Sequence, residues 1–333
     1  MDVALKLDYF RNQILGLDKF PDLDFVLEVF EFQAQFNPVY KEYLNLLGIT
    51  SSDITKLEDI PFLPISLFKN HSIKTGTWTA EQVFSSSGTT SSQTSKHELF
   101  SSSFYQAHSQ RCFEERYGSL ADYCVLALLP NYLEQGGSSL VFMVDHFIRT
   151  STDQDSGFFL YDWAQLAELL KRKIATGQKT LLIGVSFALL DFAEQFDLDL
   201  SDIVIMETGG MKGRRKEIPR AVLHQQLQTG FKCSKIHSEY GMTELLSQAY
   251  STGDGLFKTP PSMQVFAGDI TDPFSFVKVG KTGVLRLIDL ANFASISFIE
   301  TADLIQQSSE GFYVLGRMDN ALMRGCNLMY ESV

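Results

Sequence analysis

The sequence predicts an α/β protein in which helices cover a mainly parallel sheet, joined to a smaller, more antiparallel or barrel-like lobe. Three observations predict it. Short apolar runs alternate with helical periodicity between residues 98 and 229. Beyond Pro261 the pattern changes to strands bounded by turn residues. The length of 333 residues favours one large or two fused lobes over a single small core.

Along the chain, Phe25, Val26, Val29, Phe30, Phe36, Tyr40, Tyr43, Leu44 and Leu47 recur at steps of three and four. This predicts an amphipathic helix over 22–47, broken at Pro38 and ended by Gly48. Residues 61–65, with Pro61 and Pro64, read as extended. The stretch 85–95 is a Ser/Thr-rich loop. The runs 123–129, 180–183 and 203–206 then predict buried strands, and 98–117, 162–175 and 215–229 predict helices. Strands are expected at 283–289, 296–300 and 311–315. The boundary falls near 255–262. It divides the chain into an α/β core over 1–257, N-terminal helices included, and a β-rich lobe over 258–333.

Composition narrows the function. A formal charge of −12, from 28 basic and 40 acidic residues, gives no electrostatic reason to bind nucleic acid or an anionic membrane face. The apolar runs at 125–129 and 181–190 are too short to span a bilayer, and Met1 leads into an acidic amphipathic stretch rather than a signal peptide. Cys112, Cys124, Cys233 and Cys326 show neither a CxxC pair nor a disulfide spacing, so a reducing, cytoplasmic setting is expected.

Four short motifs carry chemistry. In Ser85-Ser86-Ser87-Gly88-Thr89-Thr90, Gly88 permits a tight turn and the hydroxyls stand beside bare N–H groups. Such a loop wraps a phosphate chain or, on composition alone, is a polar linker. It lacks the GxxxxGK[ST] spacing of the P-loop hydrolases. Tyr240-Gly241-Met242-Thr243-Glu244 offers a flat ring for a base, a hydroxyl for a phosphate oxygen and a hard carboxylate for Mg²⁺. Its plainer reading is a strand end turning into a helix. Thr301-Ala302-Asp303 and Gly316-Arg317-Met318-Asp319 supply a carboxylate for ribose hydroxyls and an arginine near the same sugar. Each is also a commonplace turn or surface pair.

Taken in order, these four stretches resemble the core motifs of the adenylate-forming superfamily that includes acyl-CoA synthetases. Glu207-Thr208-Gly209-Gly210-Met211-Lys212-Gly213-Arg214-Arg215 and Arg324-Gly325-Cys326 are similar to the acyl-protein synthetases of the bacterial luminescence fatty-acid reductase complex. Phenylacetate-CoA ligases are also similar. The likeness runs from about residue 60 onward. It implies the large N-terminal domain of the adenylate-forming fold, ATP and Mg as cofactors, and a small carboxylic acid as substrate. It also implies residue roles. Ser87, Gly88, Thr89 and Thr90 would hold phosphates, Gly209 and Gly210 would pass close to the adenine, and Tyr240 and Gly241 would border it. Thr243 would touch the α-phosphate, Glu244 the metal, and Asp303 and Arg317 the ribose.

The superfamily's C-terminal lid domain, which carries a lysine for adenylation, is expected to be absent, since 16 residues follow Arg317 (333 minus 317). The basic run Lys212, Arg214, Arg215 and Lys216, with Pro219 in the first turn of the next helix, could supply the cation, with Arg214 the leading candidate. The alternative is a solvated run partly neutralised by Glu207 and Glu217. Cys326 is the candidate acyl carrier, with Arg324 to lower its pKa, and the other cysteines are assigned to the core. His237 is a candidate base or a satisfied strand histidine. Asn131, Tyr132, Gly136, Gly137 and Ser138 are candidates for the acyl pocket. The expected function is ATP-dependent activation of a carboxylic acid, a fatty acid foremost, and transfer to Cys326 or to a reductase or acyl-transferase partner. The alternatives are a CoA ligase or a non-catalytic nucleotide-binding homologue.

Overall fold

The computed structural model describes residues 2–86, 94–130, 137–209 and 218–318. Helices α1 (Val3–Leu15), α2 (Leu23–Phe36) and α3 (Pro38–Leu47) come first, then the short strands β1 (Leu63–Pro64), β2 (Gln82–Ser85) and β3 (Lys96–Leu99). An alternating run follows: α4 (Ser102–Tyr117), β4 (Cys124–Leu128), α5 (Ser139–Thr150), β5 (Gly157–Phe158), α6 (Trp163–Thr176) and β6 (Thr180–Val185). It continues through α7 (Ser186–Gln195), β7 (Val204–Thr208), α8 (Arg220–Phe231) and β8 (His237–Tyr240). Strands β9 (Ala249–Ser251), β10 (Leu256–Phe257), β11 (Met263–Gly268), β12 (Thr282–Asp289), β13 (Phe298–Gln307) and β14 (Phe312–Arg317) complete the described chain.

The chain clusters into two compact units. One joins the described parts of 1–81, 95–100 and 258–333; the other joins those of 82–94 and 101–257. In the second unit the sheet runs β5-β4-β6-β7-β8-β9, parallel from β5 to β8 and antiparallel at β9. Its central strands are buried on both faces, which is why β4, β6 and β7 read as continuous apolar runs instead of alternating ones. The β-to-α crossovers set the carboxyl ends of β7 and β8 side by side, the place where open α/β sheets hold ligands.

The first unit contains an antiparallel sheet ordered β14-β13-β12-β11, with β1 parallel to β13. Here the sequence reading of the domains differs from the structure. The N-terminal helices group with the β-rich sheet, not with the α/β core. Buried side-chain hydrogen bonds show why. Gln33 Nε2 donates to the carbonyls of Asn292 and Phe293, both at 3.1 Å, and Ser297 N donates to Gln33 Oε1 at 3.0 Å. Asn37 Nδ2 donates to Ser295 O at 2.8 Å, and the Tyr40 hydroxyl to Pro61 O at 2.7 Å. An apolar stripe announces that a helix is buried but not which sheet will cover it. Gln33→Leu, which strands these backbone groups in the core, is expected to cost about 2–3 kcal/mol, read as a lower urea midpoint.

Locally, the break at Pro38 and the stop at Gly48 are as expected, whereas the starts of α4 and α8 differ. Pro38 occupies the first turn of a separate helix, with the Asn37 side chain accepting from Tyr40 N at 3.1 Å. Gly48 ends that helix at φ +68°. Residues 98 and 99 lie in β3, and α4 starts only after Ser101, whose hydroxyl accepts from Phe104 N. Pro219 sits one position before α8 rather than within it. No described helix is long and apolar enough to cross a membrane.

Candidate active site

In the α/β unit, Thr208, the last residue of β7, and Glu239, the next to last of β8, are register partners, and Tyr240 ends β8 paired with Ala249 of β9. Gly209 adopts φ +64°, a left-handed conformation that costs glycine least. Its carbonyl accepts from the Ser186 hydroxyl at 2.7 Å, which pins the turn to the start of α7. Tyr240 is buried, its ring 5.8 Å from that of Phe257 at 64°. Gly241 has no room for a side chain: a Cβ there would lie 2.3 Å from Glu239 Oε1 and 3.5 Å from Gln248 Cγ. Residues 241–248 then form turns rather than a helix, with Leu245 N bonded to Met242 O at 3.1 Å. Glu244 is buried within this segment.

Two buried carboxylates lie beneath these strand ends. Glu207 accepts from Arg220 Nε at 3.0 Å and from Ser186 Oγ at 3.3 Å, and lies 3.4 Å from His224 Nε2. Burial pushes its carboxyl up, but the His224 hydrogen bond and the Arg220 charge outweigh this and hold it below the usual value. The basic partner of Glu207 is therefore Arg220, which also lies over the Phe257 ring at 4.8 Å. The run 212–216, which Glu207 was expected to neutralise in part, lies outside the described residues. Glu239, by contrast, is driven up to about 7, first by burial and then by the Glu207 charge, against a lowering bond from Thr208.

In the β-rich unit, Asp303 and Arg317 are register partners on β13 and β14, with Arg317 Nε 4.0 Å from Asp303 Oδ1. Asp303 lies inside a long strand, next to a register shift at Leu304 and Ile305, and not after a strand end as the sequence suggested. The Arg317 side chain is 65% exposed, so this contact leaves its guanidinium open to a ligand. Antiparallel pairing brings the carboxylate and the arginine together although 14 residues separate them (317 minus 303).

Ser87, Gly88, Thr89, Thr90, Gly210, Arg214 and Cys326 lie outside the described residues, as do Asn131, Tyr132 and Gly136. Gly137 O accepts from Ser85 N at 2.7 Å, and Ser138 caps α5 by accepting from Val141 N. His237 Nδ1 is 3.1 Å from the Tyr117 hydroxyl, and burial, with Lys235 and His224, pushes it down to about 4. It is a neutral strand histidine rather than a free base. Cys112, Cys124 and Cys233 are buried thiols.

Sequence reasoning missed Ser186 and Glu239. For Glu239 the available signal was a spacing shared with Glu207: each glutamate stands two residues before a glycine, Glu207 before Gly209 and Glu239 before Gly241.

Among the described residues no group of three or more His, Cys, Asp and Glu could hold a metal ion. Glu244 is a buried carboxylate, and Mg²⁺ takes one or two protein carboxylates and completes its shell with phosphates and water.

No family model matches the sequence, and no curated protein is similar to it at a significant level. Solved structures do match. ATP-bound MatB from Rhodopseudomonas palustris is 17% identical with a TM-score of 0.53, over 72% of this chain and 49% of that one. 2-Hydroxyisobutyryl-CoA ligase in complex with 2-HIB-AMP and CoA is 12% identical with a TM-score of 0.66, over 92% of this chain and 69% of that one. Its postadenylation state with R3-HIB-AMP is 10% identical with a TM-score of 0.63, over 96% of this chain. The chain thus spans about half the length of the MatB structure. At these identities the likeness establishes architecture, and the chain has the α/β fold of adenylate-forming acyl-CoA ligases, including their antiparallel sheet.

Proposed function

We propose that the chain activates a carboxylic acid with MgATP as its acyl adenylate and passes the acyl group to a thiol. The reading is carried by one observation: the ordered motif set lies on a chain with the fold of adenylate-forming ligases. The substrate carboxylate oxygen attacks the α-phosphorus, a new P–O bond forms, the α–β anhydride bond breaks, and pyrophosphate leaves. A thiolate then attacks the acyl carbon and AMP departs. Glu244 would hold Mg²⁺, which when bound would supply charge neutralisation at the phosphates. Tyr240 and the Gly209 backbone border the base. Asp303 accepts from the ribose hydroxyls and Arg317 donates to the sugar.

The thiol is assigned to Cys326 or to a partner protein, and the acid to a fatty acid. A CoA acceptor is the second reading, because the neighbouring 2-hydroxyisobutyryl-CoA ligase is bound to CoA. Carboxylate-dependent exchange of labelled pyrophosphate into ATP, run over a panel of acids, tests the adenylation step. No exchange with any acid, alongside measurable ATP binding, would favour a non-catalytic protein instead. Labelled acid retained on denatured protein and lost in Cys326→Ala identifies the protein thiol as acceptor; label released only with CoA identifies the alternative.

A further inference from the structure

Glu239 has no role in the chemistry above, yet its placement is specific. It is fully enclosed in the α/β unit at the end of β8, with Thr208 across the ladder on β7 and Tyr250 across it on β9. The Thr208 hydroxyl donates to its Oε2 in a short hydrogen bond. Its Oε1 occupies the space a side chain at Gly241 would need. The basic groups nearby are already engaged, since Arg220 and His224 of α8 bond to Glu207. The other titratable groups facing it are Glu207 itself and Tyr250, with Tyr105, Cys112 and Tyr117 of α4 around Tyr250. An enclosed carboxyl group beside a second, ionised carboxylate, with Arg220 bonded to that neighbour, is most stable with its proton on.

We propose that Glu239 is a positioning residue for the nucleotide end of the site: held as an uncharged acid, it grips Thr208 and fills the space beside Gly241, so that the Gly209 turn and the Tyr240-Gly241 edge keep one spacing. The inference rests on the adenylation reading for the identity of the ligand, but not for the geometry. Ionisation of Glu239 adds a second negative charge next to Glu207 and draws in water or solvent cations. Either response pushes apart the strand ends that carry the two carboxylates, Glu207 on β7 and Glu239 on β8. The Ser186 hydroxyl on the Gly209 carbonyl is a second anchor of the same turn.

The test is MgATP affinity of the intact chain, measured by equilibrium dialysis in steps from about pH 6 to about pH 8.5. In the wild-type protein, affinity is expected to weaken by up to about ten-fold per pH unit above about pH 7, the limit for one linked proton. Glu239→Gln keeps an acceptor for Thr208 but cannot ionise, so its profile is expected to lack that limb. Thr208→Val is expected to bind weakly at every pH. Identical profiles for wild type and Glu239→Gln overturn the proposal. Absence of MgATP binding at every pH counts against the adenylation reading, and the positioning role is then decided by hydrogen exchange of residues 204–209. Protection that falls between about pH 6 and pH 8 in wild type, but not in Glu239→Gln, supports it; equal behaviour overturns it.

Discussion

Replacing Glu207 with alanine is expected to lower the unfolding free energy by about 3–5 kcal/mol, the range for removing one partner of a buried ion pair. The Glu207 side chain is 2% exposed and accepts from Arg220 and Ser186 with His224 beside it, so its removal takes the counter-charge from Arg220, while Ser186 keeps Gly209 and His224 keeps Ser238. Arg220 already has a buried Nη1 atom without a hydrogen-bond partner, which deepens the loss. Ser186 also holds the Gly209 carbonyl, so the damage reaches the strand ends that carry the site. Urea unfolding checks this. Glu207→Gln, which keeps the acceptor oxygen but not the charge, should fall between wild type and Glu207→Ala. A Glu207→Ala shift below about 0.5 kcal/mol, the scatter of ordinary surface changes, would show that the cluster is not under this control.

Between about pH 4.5 and pH 7, stability is expected to carry two opposed contributions. Glu239 has a folded value of about 7 against an ordinary 4.5. The folded chain therefore holds a proton over that window that the unfolded chain has released. Its contribution is fully present below about 4.5 and is lost as pH rises through about 7. A difference of about 2.5 units corresponds to roughly 3 kcal/mol for this enclosed group. In the opposite sense, burial and then the Arg111 charge push His108 down to about 3 from 6.5. The unfolded chain takes up a proton there that the folded chain refuses, so stability is lost as pH falls below about 6.5, and His237 acts in the same direction. Urea midpoints measured between about pH 4.5 and pH 8.5 separate the two. The stability of Glu239→Gln relative to wild type should rise from about pH 4.5 to about pH 7 and stay level above it, and a difference that does not change with pH would be fatal to the assignment.

The motifs and the buried strands were legible in the sequence because both are local. Strands β4, β6 and β7 follow from unbroken apolar runs, and Gly209 and Gly241 mark places where backbone must turn or pass closely. The helix break at Pro38 follows from a missing N–H. Helix starts were less legible, because Ser101 and Pro219 act as boundary residues only through the backbone conformation they adopt.

By itself, then, the amino-acid order determined an α/β class, the strand-ending glycines and the succession of Tyr240, Asp303 and Arg317 along the chain. Only the tertiary structure decided that the N-terminal helices pack with the β-rich sheet, that Asp303 faces Arg317 across a ladder, and that Arg220 engages Glu207. It alone also enclosed Glu239 against Thr208 and Gly241. The reason is that periodicity and turn chemistry act over a few residues, whereas the desolvation of a carboxylate and the choice of its partner depend on groups brought together from strands and helices distant in sequence.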